Sequence, residues 1–204
     1  MPYPKGYEHL GTLGVLPRVV SEGLKLVGTV ETPGAASNPI IMAWRDELNR
    51  AGKPIVGYSN DGIPWCGLYM AIVALRAGKP VVANPLWARN WATFGAAVAR
   101  NRGTAATPKL EFLPGMAASL GDVLVFVRDG GGHVGIYIGE DGDQAKNTGA
   151  YHVLGGNQSD QVCIRRIERA RCIAVRRPPF TSALPASAKP YRLTAAGAIS
   201  RNEA

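Results

Sequence analysis

No apolar run in the 204-residue sequence is long enough to cross a bilayer, so no helical membrane insertion is expected. The opening MPYPKGYEHLGTLGVLPRVV has none of the basic start, apolar middle and small-residue cleavage site of a secretory signal. Synthesis in a cytoplasm without signal-directed export is therefore the expectation. Cysteine is scarce, at three residues, which argues against the disulfide framework of a small secreted domain. Cys163 and Cys172 sit symmetrically about an expected hairpin turn near Glu168. A cross-strand pair is conceivable there, but two unbonded thiols fit better. The triple glycine at 130–132 is not followed by the Gly-Lys-Ser/Thr of a phosphate loop. The acidic GEDGD at 139–143 lacks the full ligand pattern of a calcium loop and reads as a solvated turn. Neither a metal nor a cofactor is expected.

What is present describes one folded domain with additional segments. Hydrophobic residues make up 46% of the chain and charged residues 19%, the composition of a globular protein with a real core. The formal charge of +8 points to an anionic partner and says little about fold. Nucleic acid is one such polyanion; the phosphate- and carboxylate-rich polymers of a cell envelope are another. Nothing resembles a zinc knuckle, a helix-turn-helix or an aromatic single-strand platform, so nucleic acid is not the expected partner. The densest basic stretch, CIRRIERARCIAVRR, reads as a solvated strand face.

The first half has the grammar of helices. PRVVSEGLKLVG (17–28) begins with a proline and ends at a glycine. In SNPIIMAWRDELNRAG (37–52), Asn38 caps, Pro39 takes the first helical position, and Ile40, Trp44 and Leu48 share a face. CGLYMAIVALRAG (66–78) is almost wholly apolar and should be buried on most sides. NPLWARNWATFG (84–95) predicts a further helix with Trp87, Trp91 and Phe94 as a core stripe. The second half changes to strand period: DVLVFV (122–127), HVGIYIG (133–139), YHVL (151–154), QVCIRRI (161–167) and RCIAVRR (171–177). Helices followed by sequential strands predict an α+β fold, with an antiparallel sheet packed on the helices. No internal repeat is visible. Residues 1–16 read as an N-terminal arm, 17–179 as the domain, and 180–204 as a flexible tail or partner-docking segment.

The candidate chemistry centres on DGIPWCGLYM. Cys66 should open a helix, where unpaired N–H groups and the helix dipole favour a thiolate and offer part of an oxyanion site. A neighbouring imidazole would lower its pKa further. The bland reading, a small apolar residue starting a core helix, is the alternative. Of the three histidines, His9 lies in the arm and His152 alternates within YHVL as a core or surface residue. His133 opens a strand just after a glycine-rich turn, a position that suits a general base. Downstream, GGNQSD offers Asn157 to accept the ring N–H and set the tautomer, with Gln158 and Asp160 as fallbacks. Trp65 would wall the site from water. Tyr58 and Asp61 would line the substrate cleft or serve as turn residues.

The combination of PWCG, SLGDVLVFV leading to GHVGIYIGE, and YHVLGGNQSD resembles the NlpC-type and CHAP superfamily of papain-like cysteine hydrolases, in a phage-associated branch that cuts peptidoglycan. The resemblance spans residues 17–179. It implies a papain-like fold, with Cys66 as nucleophile, His133 as base and acid, and Asn157 at the orienting position. It further implies cleavage of an amide bond in the peptidoglycan stem through a thioester, as a free endolysin or as a lysin carried in a virion. Peptidoglycan is then the expected partner, with phage tail proteins possible partners of the terminal segments, and the cell wall the place of action. A non-catalytic tail or wall-binding protein on the same fold is the other reading.

Overall fold

The computed structural model describes residues 3–34, 36–143, 146–194 and 199–200. Three α-helices, α1 (Arg18–Leu24), α2 (Pro39–Arg50) and α3 (Cys66–Arg76), precede seven strands. The strands are β1 (Ala96–Asn101), β2 (Leu110–Phe112), β3 (Val123–Arg128), β4 (Gly131–Glu140), β5 (Ala150–Gly155), β6 (Cys163–Glu168) and β7 (Cys172–Arg177). They form one antiparallel sheet of order β2-β1-β7-β3-β4-β5-β6. The fold is α+β, and five strands fall where the period-two runs place them.

α3 is the hub. Cys66 through Ala74 are all buried, so this helix is enclosed by α1, α2 and β4, as its uniformly apolar sequence requires. Asn38 caps α2 by accepting the Ile40 N–H at 2.8 Å, with Pro39 in the first turn. The buried face of α2 is Ile41, Trp44 and Leu48, while Ile40 is 54% exposed. Trp44 and Leu48 of the expected stripe are buried and only its first member is one residue too early: a spacing of three back from Trp44 selects Ile41.

Alternation divides the sheet between two cores. Val123 and Val125 of β3 and Val134, Ile136 and Ile138 of β4 face the helices. Leu124, Phe126, Tyr137, Tyr151 and Val153 fill the opposite face. Only the 3-10 turn Arg169–Arg171 joins β6 to β7, although four strand spacings separate them in the sheet. Four spacings are about 19 Å in a flat sheet, whereas the four chain steps from Glu168 to Cys172 reach at most about 14 Å. The sheet must therefore curl, enclosing the second core. This also corrects the hairpin expected near Glu168: β6 pairs with β5, and β7 with β1 and β3. Cys163 and Cys172 are accordingly free thiols.

Two further expectations fail for physical reasons. The helix expected at 84–95 is a 3-10 turn, Ala88–Thr93. Its three-residue period buries Ala88, Trp91 and Phe94 and leaves Trp87 72% exposed. Asn84 at φ 48° and Gly95 at φ 47° bend the chain on either side of it. Strands β1 and β2 went unread because AAVARN has weak strand propensity; pairing of β1 with β7 supplies what local sequence does not.

The end segments pack on the body. The N-terminal one forms a 3-10 turn, Glu8–Thr12, around fully buried Leu10. In the C-terminal one, Ser187 Oγ donates to Val15 O at 2.6 Å, and Leu193 N donates to Glu140 O at 2.8 Å. The segment expected to be a flexible tail is thus hydrogen-bonded to the domain at Leu193 and again at Ser200, whose N–H donates to Arg166 O at 2.7 Å; residues 195–198 and 201–204 of that expectation lie outside the described residues.

Candidate active site

Cys66 is the first residue of α3, directly after the capping position Trp65. Gly67 follows because there is no room for a side chain: a Cβ there would strike the Pro85 carbonyl oxygen and lie 2.7 Å from that of Leu86. This contact sets the helix start against the 84–87 turn. Trp65 is fully buried; its Nε1 donates to Glu31 Oε2 at 3.0 Å and its ring packs on Trp44 with centroids 6.0 Å apart. It therefore acts as a buried wall beneath the GGNQSD turn, where a Cβ on Gly156 would come within 2.8 Å of the indole.

Burial raises the Cys66 pKa above the ordinary thiol value. The Val134 backbone N–H pulls the other way, followed by the Arg128 charge and the N–H groups of Gly67 and Cys66 itself. The expected depression is not realised, because Cys66 is only 3% exposed and desolvation outweighs the helix start. Val134 is one residue along β4 from His133, but alternation turns Val134 toward the helices and Cys66 and turns His133, paired with Phe126, toward the opposite face of the sheet.

His133 is fully buried on β4, opposite Phe126 of β3. Its Nε2 lies 3.1 Å from Gln158 Oε1. The Gln158 amide is oriented by its other end: Nε2 donates to Cys163 O at 2.6 Å, Val153 O at 3.2 Å and Gly155 O at 3.4 Å. Its oxygen must therefore face the ring as an acceptor, which puts the His133 proton on Nε2 and a lone pair on Nδ1. The ring has the tautomer of a base that works through Nδ1.

This assignment moves the orienting contact from Asn157 to Gln158. Asn157 stands at φ 56° and is 2% exposed, and its Oδ1 has no hydrogen-bond partner among the described residues. Ser159 and Asp160 are also left-handed, at φ 56° and 59°; Asp160 uses its backbone carbonyl to accept the Glu31 N–H at 2.7 Å. One signal could have found Gln158. Asn tolerates left-handed backbone far better than Gln, so of the adjacent pair Asn157 belongs to the turn and Gln158 is released for the ring.

The other candidates are structural. Asp61 is 1% exposed and its Oδ2 accepts from Thr32 N at 2.9 Å and Asn38 N at 2.8 Å, pinning the 32–38 loop to the segment before Cys66. Tyr58 is also buried rather than lining an open cleft; desolvation, then the nearby Asp61 and Glu31 charges, push its pKa far up. The acids of GEDGD are engaged: Glu140 pairs with Arg169 at 3.0 Å, and Asp141 with Arg166 at 2.7 Å. Among the described residues no group of three His, Cys, Asp or Glu side chains is arranged to hold a metal ion. His152, the lesser candidate for the base, is 3.1 Å from Asp141 through Nε2 and 2.7 Å from Tyr7 OH through Nδ1. Compared with family models, curated proteins and solved structures, the chain matches none.

Proposed function

We propose that this chain is a cysteine-dependent hydrolase of peptidoglycan stem amides, with Cys66 as nucleophile, His133 as base and acid, and Gln158 as the residue that positions the ring. The observation that carries the reading is a cysteine opening the buried helix beside β4, with an imidazole held by a buried amide on that same strand. The Val134 backbone N–H favours the Cys66 thiolate, and the residue before it in β4 is an imidazole whose Nε2 meets a buried amide. The substrate class rests on the resemblance of the PWCG, GHVGIYIG and GGNQSD motifs to papain-like wall hydrolases. A papain-like fold is part of the same proposal, and the curled antiparallel sheet beside a cysteine-bearing helix supports it. Whether released at lysis or carried in a particle, the enzyme would act in the cell wall.

In this reading His133 Nδ1 takes the Cys66 proton as sulfur attacks the amide carbonyl. The Cys66 backbone N–H at the helix start holds the oxyanion. The imidazolium then protonates the leaving amine, and water hydrolyses the thioester. Because both side chains are buried and His133 belongs to the sheet face away from the helices, turnover requires the cover over Cys66 and the start of β4 to move. The test is turbidity loss of purified cell walls with the parent, Cys66→Ala and His133→Ala, and mass spectrometry of the fragments. Full lysis by folded Cys66→Ala defeats the proposal.

The same burial favours a second reading, a wall- or tail-binding protein with an inert core thiol. Brief iodoacetamide labelling separates the two. A catalytic pair labels Cys66 well ahead of equally buried Cys172, and His133→Ala removes the advantage. Equal, slow labelling of both cysteines supports the inert core.

A further inference from the structure

Away from that centre, the two ends of the chain meet over β5. His152 of β5, His9 of the N-terminal segment, and Tyr191 and Arg192 of the C-terminal segment line a surface pocket of about 860 Å³ with Lys5 and Ile164. Its floor is a fixed hydrogen-bond chain. Asp141 Oδ2 accepts from Arg166 Nε at 2.7 Å and faces His152 Nε2 at 3.1 Å. A carboxylate can only accept, so His152 carries its proton on Nε2, and its Nδ1 accepts from Tyr7 OH at 2.7 Å. The floor is satisfied and its one carboxylate is neutralised by Arg166.

The wall above it is not satisfied. His9 Nε2 and the Tyr191 hydroxyl are buried atoms without hydrogen-bond partners among the described residues, and their rings lie 6.1 Å apart. Neighbouring buried polar groups of this kind call for a partner. The charge around them says which kind. The lining contains Lys5 and Arg192 and, among the described residues, no carboxylate, with exposed Glu8 beside His9 the one acid outside it that acts on the ring. Arg192 does reach Glu140 Oε1 at 3.3 Å, but that carboxylate is also held by Arg169 at 3.0 Å, so two guanidinium groups share one acid.

We propose that this pocket binds an anionic oxygen group, a phosphate or carboxylate, received by His9 Nε2 and Tyr191 OH with Lys5 and Arg192 as counter-charges. The site lies apart from Cys66 and does not depend on the hydrolase reading. The groups facing His9 are Glu8 and Lys5 from its own segment, His152 from β5, and Tyr191 and Arg192 from the C-terminal segment. Burial holds the His9 pKa below the ordinary value, with Glu8 opposing. By reciprocity, a bound anion must raise it.

With three histidines in the chain, proton NMR of the imidazoles reads this directly. Inorganic phosphate, acetate and poly(glycerol phosphate) are titrated into the full chain and into Tyr191→Phe. The expected result is a saturable shift of the His9 resonance alone, a rise of its pKa at saturation, and at least tenfold weaker binding by Tyr191→Phe. Tighter binding of the polymer than of free phosphate assigns a wall polymer as the source; equal affinity per phosphate assigns the free anion. A His9 resonance that no probe moves, or equal affinity of Tyr191→Phe and the parent, overturns the proposal. No turnover enters the readout, so Cys66→Ala gives the same answer whatever becomes of the hydrolase.

Discussion

The contrast between Gln158 and Asn157 is the sharpest consequence of the geometry. Gln158→Leu keeps much of the side-chain volume and removes every polar contact of a fully buried amide: one to His133 at 3.1 Å and the three backbone carbonyl contacts, the shortest at 2.6 Å. Orphaned buried groups cost about 1–3 kcal/mol each, and partial rearrangement recovers some of this. A loss of about 2–4 kcal/mol is therefore expected, which lowers Tm by roughly 5–15 °C in a chain of this size. Turnover measured well below the lowered midpoint should fall about 100-fold or more, because the ring loses the acceptor that places its proton on Nε2. The pH–rate profile should shift as well, which a purely structural defect would not produce. Asn157→Gly is the control: Gly accepts φ 56° freely and Asn157 Oδ1 makes no bond to lose. Its stability should change by less than about 1 kcal/mol, with turnover near the parent. Parental turnover in Gln158→Leu, or its loss in Asn157→Gly, refutes the assignment.

Other outcomes follow from the same structure. Gly67→Ala drives a methyl into the backbone carbonyls of Pro85 and Leu86, so denaturant titration should show a loss of about 2–3 kcal/mol; an unchanged midpoint would mean that the 84–87 turn gives way freely. The His152 pKa is depressed, chiefly by burial, with Asp141 pulling it back up. The unfolded chain therefore binds this proton more readily. The stability contributed by neutral His152 is full above about pH 6.5 and is lost as pH falls toward the folded-state value. Urea midpoints should decline over that interval, and His152→Leu should flatten the decline while lowering the plateau; an unaltered slope assigns the acid sensitivity elsewhere. Asp141 is held below the ordinary carboxylate range by Arg166 and by the Ala150 N–H, against its own desolvation. It adds a second loss, of the same sign, as pH falls below about 4, and Arg166→Gln should weaken that second phase.

Legibility in the sequence tracks how local the deciding interaction is. The cap at Asn38, the five period-two strands and the all-round apolar helix from Cys66 are written in neighbouring residues and emerge as expected. β1 and the curl of the sheet are decided by pairing with β7, whose partners lie more than seventy residues away along the chain, and no local pattern announces them. The Trp87 stripe fails for a related reason. Helical spacing of four and 3-10 spacing of three differ by one residue, and of the bends at Asn84 and Gly95 that flank the tighter winding, the one at Gly95 depends on a close approach to the Arg177 carbonyl.

At the site, residue identity was easier to read than environment. Chemistry and position single out Cys66 and His133, and the fold places Cys66 against the helix-facing side of β4 and His133 on that strand's other side. Their enclosure was not legible, and it reverses the expected sign of the Cys66 shift. A helix start stabilises a thiolate by about 0.3–1 kcal/mol when exposed and up to about 2 kcal/mol when partly buried, whereas complete burial of an unpaired charge costs more than that. The resting Cys66 should thus be a thiol, with ionisation coupled to the movement that admits substrate. A solvent-deuterium and pH study of Cys66 alkylation is the corresponding measurement. A thiolate formed only on opening gives rates that rise with mild denaturant below the unfolding transition, in step with exposure. A pre-formed ion pair gives rates that denaturant leaves flat, and that outcome would show the balance struck here between burial and the helix start to be wrong.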